Sequence, residues 1–169
     1  SVSPWVVTME ALAPFRIQSA RPAADALPDY LRDSADQQQG GLDITLEVLL
    51  QSASMREQGL EPHRIARAPF ASQYWTVFQL ITHHASNGCN LQPGDLLGTG
   101  TISGPAPGEQ GCLLELSVGG SKPFTLPTGE SRTFLEDGDE VTLRAFCQRA
   151  GATRIGFGEC VGRVEPARV

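Results

Sequence analysis

Short apolar runs separated by glycine, proline and aspartate make up the second half of the chain. Beyond Pro93 and Gly94 these runs lie at residues 96–102, 112–118, 123–126, 140–148 and 154–164. Short apolar runs with turn residues between them are typical of β-strands in all-β proteins. The pattern therefore predicts a sandwich, a barrel or a roll.

The clearest strand is predicted at residues 42–50, where apolar and polar side chains alternate for most of the segment. Alternation puts every second side chain on the same face. One face of this strand is therefore expected to carry Leu42, Ile44, Leu46, Val48 and Leu50. Residues 63–68 are expected to form a second strand, paired with the first across a loop at 51–62.

One amphipathic helix is predicted at about residues 71–86. Its apolar side chains recur at helical spacing and are Phe70, Tyr74, Val77, Phe78 and Ile81. Asn87 and Gly88 tolerate the left-handed backbone that commonly ends a helix. Before this helix we expect a short strand at residues 3–8, one helical turn at 9–12 and a long surface loop at 19–41.

Two features of the last third of the chain concern packing. Gly156, Gly158 and Gly162 share a period of two, so one face of the last strand is nearly bare of side chains. An aromatic ring or another backbone is expected to lie against it. Residues 135–139 carry three acidic side chains without the spacing of an EF-hand calcium loop, so a solvated turn is expected there.

The composition excludes several classes of protein. A length of 169 residues suits one domain, and 40% hydrophobic with 19% charged residues favours a folded chain over a disordered one. A net charge of −6 without a Lys/Arg cluster in the sequence argues against a nucleic-acid partner. No apolar run approaches the roughly 20 residues that a membrane helix needs. We expect a soluble cytoplasmic protein without a membrane segment.

The four cysteines are expected to be reduced thiols. Cys89, Cys112, Cys147 and Cys160 are widely separated, with no C-x-x-C pair and no histidine at zinc-finger spacing. Cys147 and Cys160 lie in predicted strands, where a free cysteine usually behaves as a small buried hydrophobe.

The chain resembles the fumarylacetoacetase family along nearly its whole length, with only about residues 19–41 outside the likeness. The motifs that carry the resemblance occur in order along the chain. They are Ser3-Pro4-Trp5-Val6-Val7, Tyr74-Trp75-Thr76, Thr82-His83-His84, Asn87-Gly88-Cys89-Asn90-Leu91, Pro93-Gly94-Asp95-Leu96-Leu97, Gly100-Thr101-Ile102-Ser103-Gly104-Pro105, Leu114-Glu115-Leu116, Asp137-Gly138-Asp139-Glu140-Val141 and Arg154-Ile155-Gly156-Phe157-Gly158. The broader superfamily of acylpyruvate hydrolases and isomerases lacks the Tyr-Trp and Thr-His-His pattern.

The resemblance implies a mainly β fold, an antiparallel β-roll with one amphipathic helix, assembled as a homodimer with the active site inside the roll. It also implies hydrolysis of a small diketo acid, 4-fumarylacetoacetate, to fumarate and acetoacetate in tyrosine and phenylalanine catabolism. In the mechanism that the resemblance implies, a histidine activates the attacking water, and a divalent metal, calcium or magnesium, holds the diketo oxygens. A metal and a cation stabilise the leaving enolate.

Glu115 resembles the family's carboxylate that orients and polarises the catalytic histidine. A carboxylate behind an imidazole fixes its tautomer and stabilises the imidazolium that forms. Alternation in a strand at 113–118 would place Glu115 away from the flanking leucines. Taken alone, the sequence would make Glu115 a surface residue, because glutamate is almost never buried unpaired; the resemblance makes it catalytic.

Thr101 resembles the family's threonine that holds a substrate oxygen through its hydroxyl and the neighbouring backbone. Gly98 and Gly100 would let a ligand approach the main chain closely. A lone Gly-x-Gly-Thr would otherwise indicate only a turn between strands.

The histidines are expected to be structural. His83 and His84 are adjacent on a helix, so they point about 100 degrees apart and do not grip one ion easily. His63 has no partner in the sequence and is expected to be exposed. No residue of the chain matches a family metal ligand.

The family's catalytic histidine, metal ligands and enolate-stabilising lysine are expected to precede Ser1. Residues 1–169 are then the C-terminal part of the catalytic roll, an incomplete domain, and inactive alone. Two alternatives remain open: a non-catalytic β-roll used for dimerisation or binding, and another acylpyruvate hydrolase of the same superfamily.

Overall fold

A computed structural model describes residues 2–168. The strands are β1 Arg16–Ile17, β2 Gly41–Leu42, β3 Thr45–Gln51, β4 His63–Pro69, β5 Phe124–Thr125, β6 Ser131–Arg132, β7 Glu140–Cys147 and β8 Ile155–Arg163. The α-helices are α1 Ser34–Gln39, α2 Ala53–Glu57, α3 Val77–Ala85 and α4 Leu113–Leu116. Short 3-10 turns lie at Ala13–Phe15, Asp29–Leu31 and Phe70–Ser72.

A four-stranded antiparallel sheet in the order β4-β3-β7-β8 is the largest element. The small pairs β1-β2 and β5-β6 are also antiparallel. The expected mainly β, antiparallel class is confirmed, and within residues 2–168 three short helices accompany the one longer helix. No helix among residues 2–168 is long and apolar enough to cross a membrane.

The predicted pairing of the two clearest strands is confirmed. β3 and β4 are antiparallel, with Leu46 opposite Ala68 and Leu50 opposite His63. Their connection contains α2, whose first turn is capped because the Ser52 hydroxyl accepts from the Met55 amide at 3.1 Å. The predicted single strand at 42–50 is divided between β2 and β3.

The register of β3 gives the sheet two different faces. On the apolar face, Leu46 lies between Ala68 and Ala145, and Val48 lies between Ala66 and Leu143. The opposite, charged face carries the cross-strand row Arg67, Glu47, Arg144 and Glu159. Side chains alternate along a strand, so the sequence pattern of β3 separates these two surfaces.

Two hydrophobic clusters cover the ends of the apolar face. The first contains Leu12, Phe15, Leu42, Ile44 and Cys147, with Leu46, Ala145 and Phe157 packed against it. The second contains Leu50, Met55 and Leu126, with Val141 packed against it. The middle of the apolar face lies between the two clusters.

The amphipathic helix begins later than predicted. Residues 70–72 form a 3-10 turn, and α3 begins at Val77. Thr76 and Gln79 form a capping box, in which the Thr76 hydroxyl accepts from the Gln79 amide and the Gln79 side chain accepts from the Thr76 amide. This cap fixes the start of the helix, so Tyr74 remains outside it.

Several predicted strands are absent from the described residues. Residues 3–8 and 96–102 have no regular structure, and residues 112–118 contain α4 instead of a strand. Gly100 has a φ of +79°, which interrupts an extended segment. The loop expected at 19–41 contains α1 and a 3-10 turn.

The turn at residues 135–139 is not fully solvated, contrary to the prediction. Asp139 is completely buried. Arg132 donates to both of its carboxylate oxygens, at 3.0 and 3.2 Å. Such a bidentate pair satisfies the buried charge, and the acid is therefore a structural anchor at the start of β7.

The prediction of a ring against the glycine face of the last strand is confirmed. The Trp5 indole lies against Gly158, where a Cβ atom would collide with it. Gly158 also has a φ of +71°, in the left-handed region that favours glycine. Gly156, two residues earlier, has no such constraint: the nearest atom to an added Cβ is the Ala145 carbonyl oxygen, at 4.0 Å.

Gly158→Ala is expected to lower the free energy of unfolding by about 1–2 kcal/mol, because alanine is strained in the left-handed conformation. Gly156→Ala is the matched control and should change stability by no more than about 0.5 kcal/mol. Urea unfolding of both variants measures the difference. Equal losses in the two variants would contradict this account of Gly158.

Candidate functional site

Glu115 lies on α4, not on the strand predicted for it. Its Oε2 atom accepts from the Ser103 hydroxyl at 2.6 Å and from the Gly111 amide at 3.0 Å. The Gly111 amide also lies 3.1 Å from the Ser103 hydroxyl oxygen. We call these three residues the carboxylate clip. It closes the loop that joins residue 103 to residue 111.

The local sequence explains the helix. The Ser117 amide donates to the Leu113 carbonyl at 2.8 Å, and the Gly119 amide donates to the Leu114 carbonyl at 2.8 Å. Val118 has a φ of +50° and Gly119 a φ of +66°. This left-handed end turns the chain back after one helical turn, so residues 113–118 do not extend.

The clip keeps Glu115 ionised. The Ser103 hydrogen bond, followed by the Gly111 amide, holds the pKa of Glu115 below its usual value. Both donors favour the charged form of the carboxylate. Because Glu115 is exposed, the carboxylate is accessible and negatively charged, as a group that stabilises an imidazolium must be.

Thr101 lies on the wall of a cavity of about 370 Å³. One side of the cavity is formed by Gly100, Thr101, Ile102 and Gly111, and the other by the middle of the apolar face, including Leu46, Val48, Ala66, Leu143 and Cys160. Gly100 has a φ of +79°, which no side chain larger than hydrogen adopts easily. The Gly100-Thr101 backbone therefore borders an open, mostly apolar space.

Gly111 connects the two predicted site residues. Its amide belongs to the carboxylate clip, and it packs so closely on the Ile102 carbonyl and the Thr101 methyl that a side chain would collide with both. Glu115 itself does not line the Thr101 cavity. The structure thus joins Thr101 and Glu115 through one glycine and does not place them face to face.

The histidines lie elsewhere on the molecule. His83 shares a hydrogen bond of 2.9 Å with the Tyr30 hydroxyl and stacks on that ring. His84 lies 3.4 Å from the Cys89 sulfur. His63 is half-buried in β4, although it was expected to be exposed. Within residues 2–168, no histidine hydrogen-bonds to Glu115.

The residues that the structure describes do not fit a metal site. No group of three or more His, Cys, Asp or Glu side chains among them converges on one point. Asp137 is exposed and Asp139 is used by Arg132. All four cysteines are free thiols, as predicted. We therefore assign no catalytic step to a metal held by these residues.

Sequence reasoning missed Ser103 and Gly111 as parts of the site. Both lie in stretches rich in turn residues, where hydroxyl and glycine positions usually reflect turn geometry. A serine twelve residues before the carboxylate is not a recognisable motif. Only the folded loop brings the Ser103 hydroxyl to the carboxylate of Glu115.

The comparisons identify the class of protein to which this site belongs. The family model described as "Fumarylacetoacetate (FAA) hydrolase C-terminal" matches residues 1–165. The chain belongs to this family, and the resemblance of its motifs is confirmed.

Individual relatives agree with the family match. The chain is 46% identical over 167 residues to the fumarylacetoacetase of Arabidopsis thaliana, covering 99% of the chain and 37% of that protein. It is 47% identical to the Bos taurus fumarylacetoacetase and 46% identical to the Homo sapiens one, covering 38% of each. The chain thus spans less than two fifths of the length of these relatives.

Ser103→Ala is expected to raise the pKa of Glu115, because the variant removes the hydroxyl that contributes most to stabilising the ionised carboxylate. Carbon-detected NMR titration of the Glu115 carboxyl measures the change. Ser121→Ala is the control: it removes an exposed hydroxyl that donates to the Val118 carbonyl and leaves the clip intact. An unchanged Glu115 pKa in Ser103→Ala would contradict the clip.

Proposed function

We propose that this chain is the C-terminal part of the catalytic β-roll of a fumarylacetoacetase, which hydrolyses 4-fumarylacetoacetate to fumarate and acetoacetate. The match of residues 1–165 to the C-terminal family model carries this proposal. Identities of 46–47% to proteins named fumarylacetoacetase support it. The reaction belongs to tyrosine and phenylalanine breakdown in the cytoplasm, and the enzyme acts as a homodimer.

Glu115 is the proposed partner of the histidine that activates water. Its exposed, ionised carboxylate has one oxygen, Oε2, held by Ser103 and Gly111. A carboxylate fixed in this way accepts the imidazole N–H, selects the tautomer and stabilises the imidazolium after the histidine takes a proton from water. The histidine itself comes from outside residues 2–168.

Thr101 is the proposed substrate-binding residue. It lines the cavity next to Gly100, whose backbone a ligand in the cavity can contact. Its hydroxyl and the adjoining main chain supply hydrogen bonds to a substrate oxygen, while the apolar face below excludes water from the reacting centre. The cavity volume of about 370 Å³ suits a small diketo acid better than a macromolecule.

The chemistry also needs a divalent metal, calcium or magnesium, and we place its ligands outside the described residues. Such a metal would supply Lewis-acid stabilisation of the negative charge on the departing enolate. The contribution of this chain is limited to orienting the base through Glu115 and positioning substrate through Thr101.

The complete gene product provides the test between this function and its rivals. Loss of fumarylacetoacetate absorbance that depends on added metal supports the proposal. A folded product that converts no substrate favours a β-roll used only for dimerisation or binding. Faster conversion of other acylpyruvates than of fumarylacetoacetate favours a different hydrolase of the superfamily.

The 169-residue chain alone is expected to hydrolyse no substrate at any metal concentration, because neither a base beside Glu115 nor a metal site lies within residues 2–168. The assay is the same absorbance measurement, with the complete gene product as the positive control. Turnover by the pure chain would show that the base and the metal ligands do not have to come from outside it, and would contradict the proposal.

Glu115→Gln in the complete gene product is expected to keep its fold and metal affinity and to lose up to about 10⁴ in kcat, by analogy with the Asp-to-Asn change in a serine protease triad. Glutamine keeps the size of the side chain but loses the charge that stabilises the imidazolium. Steady-state kinetics and thermal unfolding measure the two effects.

Glu61→Gln is the matched control for this variant. Glu61 is exposed, and the same change there should leave both kcat and the melting temperature unchanged. Turnover by Glu115→Gln close to that of the control would remove Glu115 from the mechanism and leave Thr101 as the site residue supplied by this chain.

A further inference from the structure

The charged face of the sheet gathers arginines that are far apart in the sequence. Arg67, Glu47, Arg144 and Glu159 are direct cross-strand neighbours in β4, β3, β7 and β8. Arg64 also contacts Glu47, at 3.3 Å. Opposite charges on neighbouring strands stabilise a sheet pair modestly, but this row also concentrates guanidinium groups at one place on the surface.

The buried Glu47 carboxylate forms ion pairs with three arginines. Its side chain is only 5% exposed, whereas Arg64, Arg67 and Arg144 are 52%, 50% and 42% exposed. Arg144 donates to it at 2.7 Å, and the Arg67 Nε lies 3.8 Å from it. Burial alone would raise the pKa of Glu47, but the Arg144 hydrogen bond and the charges of all three arginines hold it below its usual value.

The Phe146 ring contacts the guanidinium of Arg67 and that of a fourth arginine, Arg154. The Cζ atoms of Arg67 and Arg154 lie 5.6 and 4.7 Å from the ring centroid. Cation–π contacts of this kind orient a guanidinium without using its N–H donors. Arg154 is exposed, and within residues 2–168 it forms no salt bridge with a carboxylate, unlike Arg64, Arg67 and Arg144.

A cleft of about 430 Å³ opens between these groups. Its lining consists of Glu47, Arg144, Ala145, Phe146, Arg154, Gly156, Gly158 and Glu159. Gly156 leaves room for a ligand, since the nearest atom to an added Cβ there is 4.0 Å away, whereas the Trp5 indole lies against Gly158. The cleft itself is lined by two arginines and two glutamates. Arg64 and Arg67, which contact Glu47 outside the cleft, bring the surrounding patch to four arginines against two glutamates, on a chain whose net charge is −6.

We propose that this cleft binds a small anion with paired oxygens, either a carboxylate or a phosphate. A guanidinium presents its N–H donors as a rigid fork that matches such oxygens. Glu47 and Phe146 hold the forks in position before the ligand arrives, which reduces the entropy lost on binding. The cleft extends beside Phe146 and Arg154, whereas the Thr101 cavity extends beside Thr101 and Leu46, and the two linings share Glu47, Arg144, Ala145 and Gly158.

Arg154→Gln tests the proposal, because this arginine packs on Phe146 and takes no part in the Glu47 cluster. Phosphate and succinate are each titrated into the complete gene product, with chloride at matched ionic strength as the blank, and affinity is measured by calorimetry. Arg168→Gln is the control, since it removes the same charge from an exposed position.

We expect at least one of the two anions to bind beyond the chloride blank, and Arg154→Gln to weaken that binding about tenfold or more, the loss of a charge-assisted hydrogen-bond pair. Arg168→Gln should leave it unchanged. Binding of succinate alone assigns a carboxylate ligand, and binding of phosphate alone assigns a phosphate. No binding beyond chloride, or equal weakening in Arg154→Gln and Arg168→Gln, would overturn the proposal, whether or not the same preparation hydrolyses fumarylacetoacetate.

Discussion

The antiparallel register of β3 with β4 and β7 is the constraint on which the other features depend. It places Leu46 and Val48 between small residues on one face and Glu47 between Arg67 and Arg144 on the other. A shift of one residue would exchange these faces and bury the arginines. The core clusters, the Thr101 cavity and the arginine cleft all assume this one pairing.

The sequence was informative where a pattern is repeated locally, and silent where the fold joins distant residues. Strands β4, β7 and β8 were predicted close to their observed bounds. Residues 96–102 and 112–118 were not, because a short apolar run has the same appearance in a strand, a helical turn or a glycine-rich loop. The left-handed backbone at Gly100 interrupts the first segment, and α4, which carries Glu115, replaces the second.

The distribution of charge over the surface was likewise not predictable from the sequence. No Lys/Arg cluster was visible in the sequence, because Arg67 and Arg144 are 77 positions apart by their numbers and meet only through Glu47. Strand pairing brings them together, and the buried carboxylate repays its desolvation only because three guanidinium groups surround it. A chain that is acidic overall can therefore present a basic patch on one face of a sheet.

Glu115 lies outside the four-stranded sheet, on the short helix α4. Because Glu115 lies on α4, its orientation is set by Ser103 and Gly111 and not by strand register. Gly111 then transmits that geometry to Thr101 through direct packing. Small adjustments within the apolar face can therefore change the shape of the cavity without moving the carboxylate, whereas any side chain at position 111 would disturb both at once. The glycine, although chemically inert, is the point at which the residue proposed to orient the base and the residue proposed to bind substrate are coupled.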